Sequence, residues 1–136
     1  MPFTQAEIDY LAGQRLGRLA TAQPNGTLQN NPVGFTYNAD TRTIDIRGLN
    51  MAKSQKYRNV LHDGRVAFVV DDVYSVDPWR VRCLEIRGTA EQARADSSAG
   101  DWDNAIIRIT PRRIISFGID EPDVEAHQLA VDSRNV

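Results

Sequence analysis

Cysteine and histidine are scarce: Cys83, His62 and His127 are the whole supply in 136 residues. An internal disulfide is excluded and a Cys/His metal cage has too few members, so the chain reads as a resident of a reducing compartment, which predicts the cytoplasm. Lysine is also rare, with 14 of the 16 basic residues being arginine and only Lys53 and Lys56 remaining. A GC-rich genome is the simplest source of that bias. Long hydrophobic runs are missing; Val66-Ala67-Phe68-Val69-Val70 covers five residues, where a membrane helix needs about 20. The opening Met-Pro-Phe-Thr-Gln-Ala-Glu has neither a charged n-region nor an apolar h-region, so neither a secretory leader nor a membrane association is expected. A net charge of −2 provides no basic excess for nucleic acid.

Several catalytic signatures are missing as well. There is no G-x-G-x-x-G, no G-x-x-x-x-G-K-[ST], no H-E-x-x-H and no G-x-S-x-G, which removes the sequence support for dinucleotide, P-loop, zincin and α/β-hydrolase readings. His62 falls at a predicted helix end, where a solvated imidazole suits the negative end of the dipole, and His127 falls in a polar tail. Neither is assigned a catalytic role. Cys83 sits mid-strand between Arg82 and Leu84, as a small packing residue would, with nothing nearby to activate it.

What is present is a globular composition, 41 % apolar and 25 % charged with the signs interspersed. The chain is long enough for one domain with a core of its own, residues 1–136, without internal repeat or linker. Thr4-Gln5-Ala6-Glu7 has the form of a capping box, predicting a short helix with Ile8, Leu11 and Ala12 on one face and Gly13 as its stop. Strands are predicted over 16–22, 28–37 and 43–47, a meander joined by Pro24-Asn25-Gly26 and Asn38-Ala39-Asp40. A second helix is predicted over 51–61 with Asn50 as cap. The apolar run in 65–72 predicts a central strand buried on both faces. Further strands follow over 81–90, 106–110 and 113–119, the last two joined at Pro111, and the tail 120–136 is expected to be loosely held. Six or seven short antiparallel strands with two helices predict a mainly β fold, a closed or half-closed β-barrel with helices at its edges.

One segment breaks a local rule. No acidic residue occurs between Asp45 and Asp63, whereas Arg47, Lys53, Lys56 and Arg58 crowd the end of a strand and the start of the second helix. Each cation in the first turns of a helix costs roughly 0.3 to 1 kcal/mol against the dipole, and Lys53 and Lys56 repel on one face. The first helix, with Glu7 and Asp9 in its opening turns, shows the ordinary placement. Two readings of the patch stay open: a solvated basic face, or a site where free N–H groups and converging cations hold a phosphate or another anion.

Leu16-Gly17-Arg18-Leu19-Ala20-Thr21, Asn25-Gly26-Thr27, Pro32-Val33-Gly34-Phe35, and Lys56-Tyr57-Arg58-Asn59-Val60 followed by the run from Arg65 to Asp72 carry a resemblance. In this order and spacing they resemble the pyridoxamine 5′-phosphate oxidase-like superfamily, and within it the branch dependent on the deazaflavin coenzyme F420. Ser75-Val76-Asp77-Pro78-Trp79-Arg80, Glu85-Ile86-Arg87-Gly88 and the stretch from Ile109 to Gly118 are similar to an actinobacterial subgroup that includes a tetracycline-pathway reductase.

The resemblance implies a split β-barrel of the FMN-binding type, a homodimer, and cofactor sites at the subunit interface. It implies that Arg47 and Lys56 hold the cofactor phosphate, with Lys53 and Asn50 as neighbours, and that Asn31, Pro32, Val33 and Gly34 line the flavin-like ring, Pro32 withholding one backbone donor. The implied activity is hydride transfer from reduced F420 to an electron-poor alkene or imine of a small organic substrate. An FMN-dependent oxidase or reductase, and a non-catalytic binder of flavin, deazaflavin or haem, are the alternatives on the same fold. Trp79 and Arg80 are candidates for the substrate pocket, and Tyr37, Tyr57, Tyr74 and water are all open as proton source.

Overall fold

The computed structural model describes residues 1–96, 103–121 and 123–136. The capping box forms as the sequence predicts and starts helix α1 (Gln5–Ala12): the Thr4 hydroxyl accepts from the Glu7 N–H, and the Glu7 carboxylate accepts from the Thr4 N–H. The helix buries Glu7, Tyr10 and Leu11 rather than the purely apolar face expected, and Ala12 is exposed.

Strands β1 (Leu16–Ala22), β2 (Leu28–Asn38) and β3 (Thr43–Arg47) form the expected antiparallel meander. Strands β4 (Arg65–Ser75), β5 (Arg80–Arg94), β6 (Ala105–Phe117) and β7 (Asp132–Asn135) complete the sheet, in the order β3-β2-β1-β4-β5-β6-β7. The N-terminal half of β6 pairs back onto β3, Ile107 facing Ile46 and Ile109 facing Ile44. Among the described residues the fold is therefore a closed barrel of six antiparallel strands plus one added strand, with two α-helices, the split β-barrel the sequence implies. Closure removes the open edges that β3 and β6 would otherwise present.

Alternation along the strands fills the barrel. Leu19, Phe35, Ile44, Ile46, Phe68, Val70, Leu84, Ile86, Ile107 and Ile109 lie within a core where Phe35 and Phe68 meet edge to face at 5.4 Å. Strand β4 is central, as expected, but buries only one face: Val66, Phe68 and Val70 are inside while Ala67 and Val69 remain half-buried on the outer side.

Three further expectations are corrected. The two strands expected around Pro111 are one strand, β6, because a bulge opposite the Arg87–Gly88 step leaves Arg112 as the extra residue, and a bulge tolerates a residue without an N–H. Gly88 permits that approach; a Cβ there would lie 2.2 Å from the Thr110 carbonyl oxygen. The second helix, α2, spans Gln55–His62 and is capped by Ser54, whose hydroxyl accepts from the Tyr57 N–H; Asn50 makes no side-chain cap and precedes a separate 3-10 turn, Met51–Lys53.

The end of the tail is not loose. Strand β7 pairs with the C-terminal half of β6, and the Arg134 guanidinium reaches the buried Glu7 carboxylate and the Pro2 carbonyl.

Candidate functional site

The register places part of the basic segment beside the ring-lining stretch implied by the sequence. Gly34 on β2 pairs directly with Arg47 on β3, and Arg47 is the last residue of its strand. Because β3 stops there, residues 28–33 of β2 pair only with β1 and have no strand partner on their other side among the described residues. An open backbone edge of this kind offers N–H and C=O groups to a planar polar ligand.

The four implied ring residues divide by strand alternation. Val33 is a core residue, 5 % exposed, so its side chain cannot line an outer groove and only its backbone is available. Pro32 is exposed on the opposite face, opposite Arg18, and Gly34 shares that face with Arg47. Asn31 points to the same side as Val33, and its buried Oδ1 has no hydrogen-bond partner among the described residues. A buried acceptor left without a donor costs about 1–3 kcal/mol.

The helix that carries the lysines is held firmly. Asn59, fully buried, donates to the Thr21 hydroxyl and to Gln29 Oε1, both at 3.0 Å, which fixes α2 to the β1–β2 hairpin. Gln92 of β5 donates to the Tyr57 carbonyl at 3.0 Å. Sequence reasoning missed Asn59, although an asparagine on the apolar face of a predicted helix is the signal that could have found it. Arg58 is committed locally, donating to the Lys53 carbonyl at 2.8 Å and to Gln55 Oε1 at 2.7 Å. Lys53 is exposed and Lys56 half-buried, and among the described residues neither ammonium belongs to an ion pair. Asn50 is exposed at the turn.

Arg47 also lines a polar groove of about 320 Å³ with Asn38, Asp45, Asp96 and Arg108. Burial pushes the Asp45 carboxyl upward, but hydrogen bonds from Arg108, Asn38 and Thr43 more than offset it and hold the group below the ordinary carboxylate range. Asp45 is thereby satisfied by Arg108 and its neighbours.

The other candidates lie apart from this corner. Trp79 is 52 % exposed at the tip of the β4–β5 hairpin and is not a packing tryptophan. Arg80 is paired with Glu125 of the tail at 3.3 Å, and Tyr74 donates to Asp123 at 3.2 Å. Tyr37 packs edge to face on Phe3, and Tyr57 is half-buried on α2. Burial pushes the Cys83 thiol up to about 11, aided by Asp71 and Glu85, in keeping with an unreactive side chain. His62 is exposed at the C-terminal end of α2. Unmarked in the sequence reading is a cluster joining α1 to the hairpin: Arg82 forms a bidentate pair with Asp72 (2.9 and 2.6 Å) between the rings of Tyr10 and Tyr74. No group of three His, Cys, Asp or Glu residues among those described could hold a metal, and no described helix is long and apolar enough to cross a membrane.

A family model described as Pyridoxamine 5′-phosphate oxidase matches residues 3–131 of this barrel. The chain belongs to the pyridoxamine 5′-phosphate oxidase family. This family member is 46 % identical over 126 residues to the 5a,11a-dehydrotetracycline/5a,11a-dehydrooxytetracycline reductase of Streptomyces rimosus subsp. rimosus, covering 88 % of this chain and 86 % of the relative. Among solved structures of the pyridoxamine 5′-phosphate oxidase fold, an F420 reductase is 26 % identical with a TM-score of 0.57, over 76 % of this chain and 90 % of that one. The FAD binding protein from Mycobacterium smegmatis, 20 % identical, matches in fold with a TM-score of 0.62 over 84 % and 95 % of the two chains.

Proposed function

We propose that this chain is an F420-dependent reductase of small, electron-poor organic molecules. The observation that carries the reading is the open β2 edge beside Arg47 and the lysine-bearing turn, in a chain 46 % identical to a reductase. That relative and the F420 reductase neighbour support an oxidoreductase at the coarser level.

The residues fit such a coenzyme in chemistry. Lys53 and Lys56 supply cations without ion-pair partners among the described residues for a phosphate, Arg47 supplies a guanidinium suited to a two-pronged grip, and Asn50 supplies a polar side chain at the turn. The free edge of residues 28–33 offers backbone acceptors and donors to the polar margin of a deazaflavin ring. Pro32 and Gly34 give that margin a face without long side chains. When bound in its reduced form, the coenzyme supplies a hydride to an electron-poor alkene or imine. The chain's own task is to orient the ring and keep the reacting face dry. Trp79 and Arg80, apart from this corner on the hairpin of their own subunit, are the side chains we assign to the substrate end across the subunit interface.

We further propose that residues 1–136 act as one cofactor-binding domain in the cytoplasm, in keeping with the single cysteine, and that the active species is a homodimer with its cofactor sites between subunits. The outer row Pro32–Arg18–Val69–Glu85–Ile115 mixes apolar groups with both charge signs, a self-complementary surface for a two-fold contact. Sedimentation at micromolar concentration is expected to give a dimer, and a monomer alone would refute that assembly.

Parallel titrations with F420, followed by its fluorescence, and with FMN test the cofactor. The expected result is saturable F420 binding that is tighter than FMN binding. Tighter FMN binding, or a protein that purifies yellow with FMN, would replace this reading by the FMN-dependent one.

A further inference from the structure

The segment without acids along the chain is not without acids in space. Asp103, at the approach to β6, brings its carboxylate to the 3-10 turn that precedes α2, where Oδ2 accepts from the Ala52 N–H at 3.4 Å. The bond is long. The other oxygen, Oδ1, is buried and has no hydrogen-bond partner among the described residues, and the neighbouring Asn104 Oδ1 is buried without one among them as well. Asp103 is therefore a poorly satisfied anion resting against a turn whose nearby cations, Lys53 and Lys56, form no ion pair among the described residues.

A carboxylate retained purely for structure would be expected to collect short, charge-assisted bonds, as Asp45 does from Arg108 at 3.0 and 3.1 Å and Asp72 from Arg82 at 2.9 and 2.6 Å. Among the described residues Asp103 makes one weak contact, and it is made to the Ala52 N–H, in the turn that links Arg47 to Lys53 and Lys56.

We propose that Asp103 is a built-in stand-in for the ligand's anionic group: its carboxylate occupies the turn in the free protein and competes with the incoming phosphate. The inference rests on the assignment of the phosphate to the Arg47, Lys53 and Lys56 corner, and adds to it the control of affinity by an internal competitor. The contact and the repulsion both act against the ligand, so an occupancy of about nine-tenths would weaken apparent binding about tenfold relative to an uncontested site.

The test is the Asp103→Asn variant, which keeps the volume and an oxygen for the Ala52 N–H but removes the charge, with F420 titrated by fluorescence at low and at raised salt. Affinity is expected to tighten roughly three- to tenfold, with the gain shrinking as salt screens the charge. Asp103→Glu, which keeps the charge on a longer arm, is expected to show no such gain. Unchanged or weaker binding by Asp103→Asn, with its thermal melting intact, would overturn the competitor role. If Asp103→Asn does not fold, Asp103→Ser, which is smaller and also neutral, carries the same expectation. Failure of the phosphate assignment itself has a different signature, an affinity indifferent to charge reversal at Lys56, and the two results are read independently.

Discussion

Lys56→Glu is expected to weaken F420 binding by more than about tenfold, at least ~1.4 kcal/mol, measured by fluorescence titration of the coenzyme. The change removes the ammonium of half-buried Lys56 in the first turn of α2 and puts a carboxylate in its place, so attraction is lost and repulsion gained at the same point. Arg58 cannot compensate, since its guanidinium is held by the Lys53 carbonyl and Gln55. The fold should survive, because α2 is fastened by Asn59 to Thr21 and Gln29 rather than by the lysine. An acid in the first turn even favours the helix. Lys53→Glu, on the exposed 3-10 turn, is expected to cost less because solvent screens it. A Lys56→Glu protein that melts normally and binds F420 with unaltered affinity would remove the phosphate from this corner.

Much of the barrel was legible from sequence because its signals are local. Thr4 and Glu7 fit the capping box, Gly26 supplies a positive φ at the first hairpin, and alternation marks β1, β2 and β3. Non-local causes were hidden. Strand β7, Asp132–Asn135, has no apolar alternation and exists because β6 offers it a partner and Arg134 finds a buried carboxylate. The start of α2 moved because Ser54, which turns its hydroxyl to the Tyr57 N–H and also donates to the Met51 carbonyl at 2.7 Å, makes the cap, whereas Asn50 makes none.

The site divides in the same way. The cationic strand–turn–helix was visible as an acid-free stretch of sequence, and the pairing of Gly34 with Arg47 gives it a neighbour on β2. Asp103, 51 residues away from Ala52 along the chain, could not be seen from that stretch. Nor could the division of the ring-lining residues, since it depends on which face of β2 looks into the barrel: Val33 goes into the core and Pro32 out of it.

Arg134→Ala is expected to destabilise the protein by about 3 kcal/mol, from the cost of stripping one partner from a buried ion pair, and to lower Tm by roughly 10 °C. Glu7 is 1 % exposed, and its carboxylate accepts from the Thr4 N–H at 2.9 Å, Ser116 at 3.0 Å and both terminal nitrogens of Arg134. Burial alone would push its pKa up. The Arg134 and Thr4 hydrogen bonds, the Arg134 charge and Ser116 more than reverse that and hold the group below its ordinary value. A depressed carboxylate contributes stability that is present above its unfolded pKa, about 4.3, and is lost as pH falls through the folded value. Without Arg134 the burial penalty is no longer offset, so the folded pKa rises and the variant suffers most where Glu7 must stay charged. The gap between wild type and variant should therefore be wide at neutral pH and close as the medium is acidified below about pH 4. Pairing Arg134→Met with Glu7→Gln should recover part of the loss by removing the stranded charge. Urea titrations at both pH values supply the comparison; a gap of constant size would assign the effect to lost packing of the Arg134 stem instead of to the charge on Glu7.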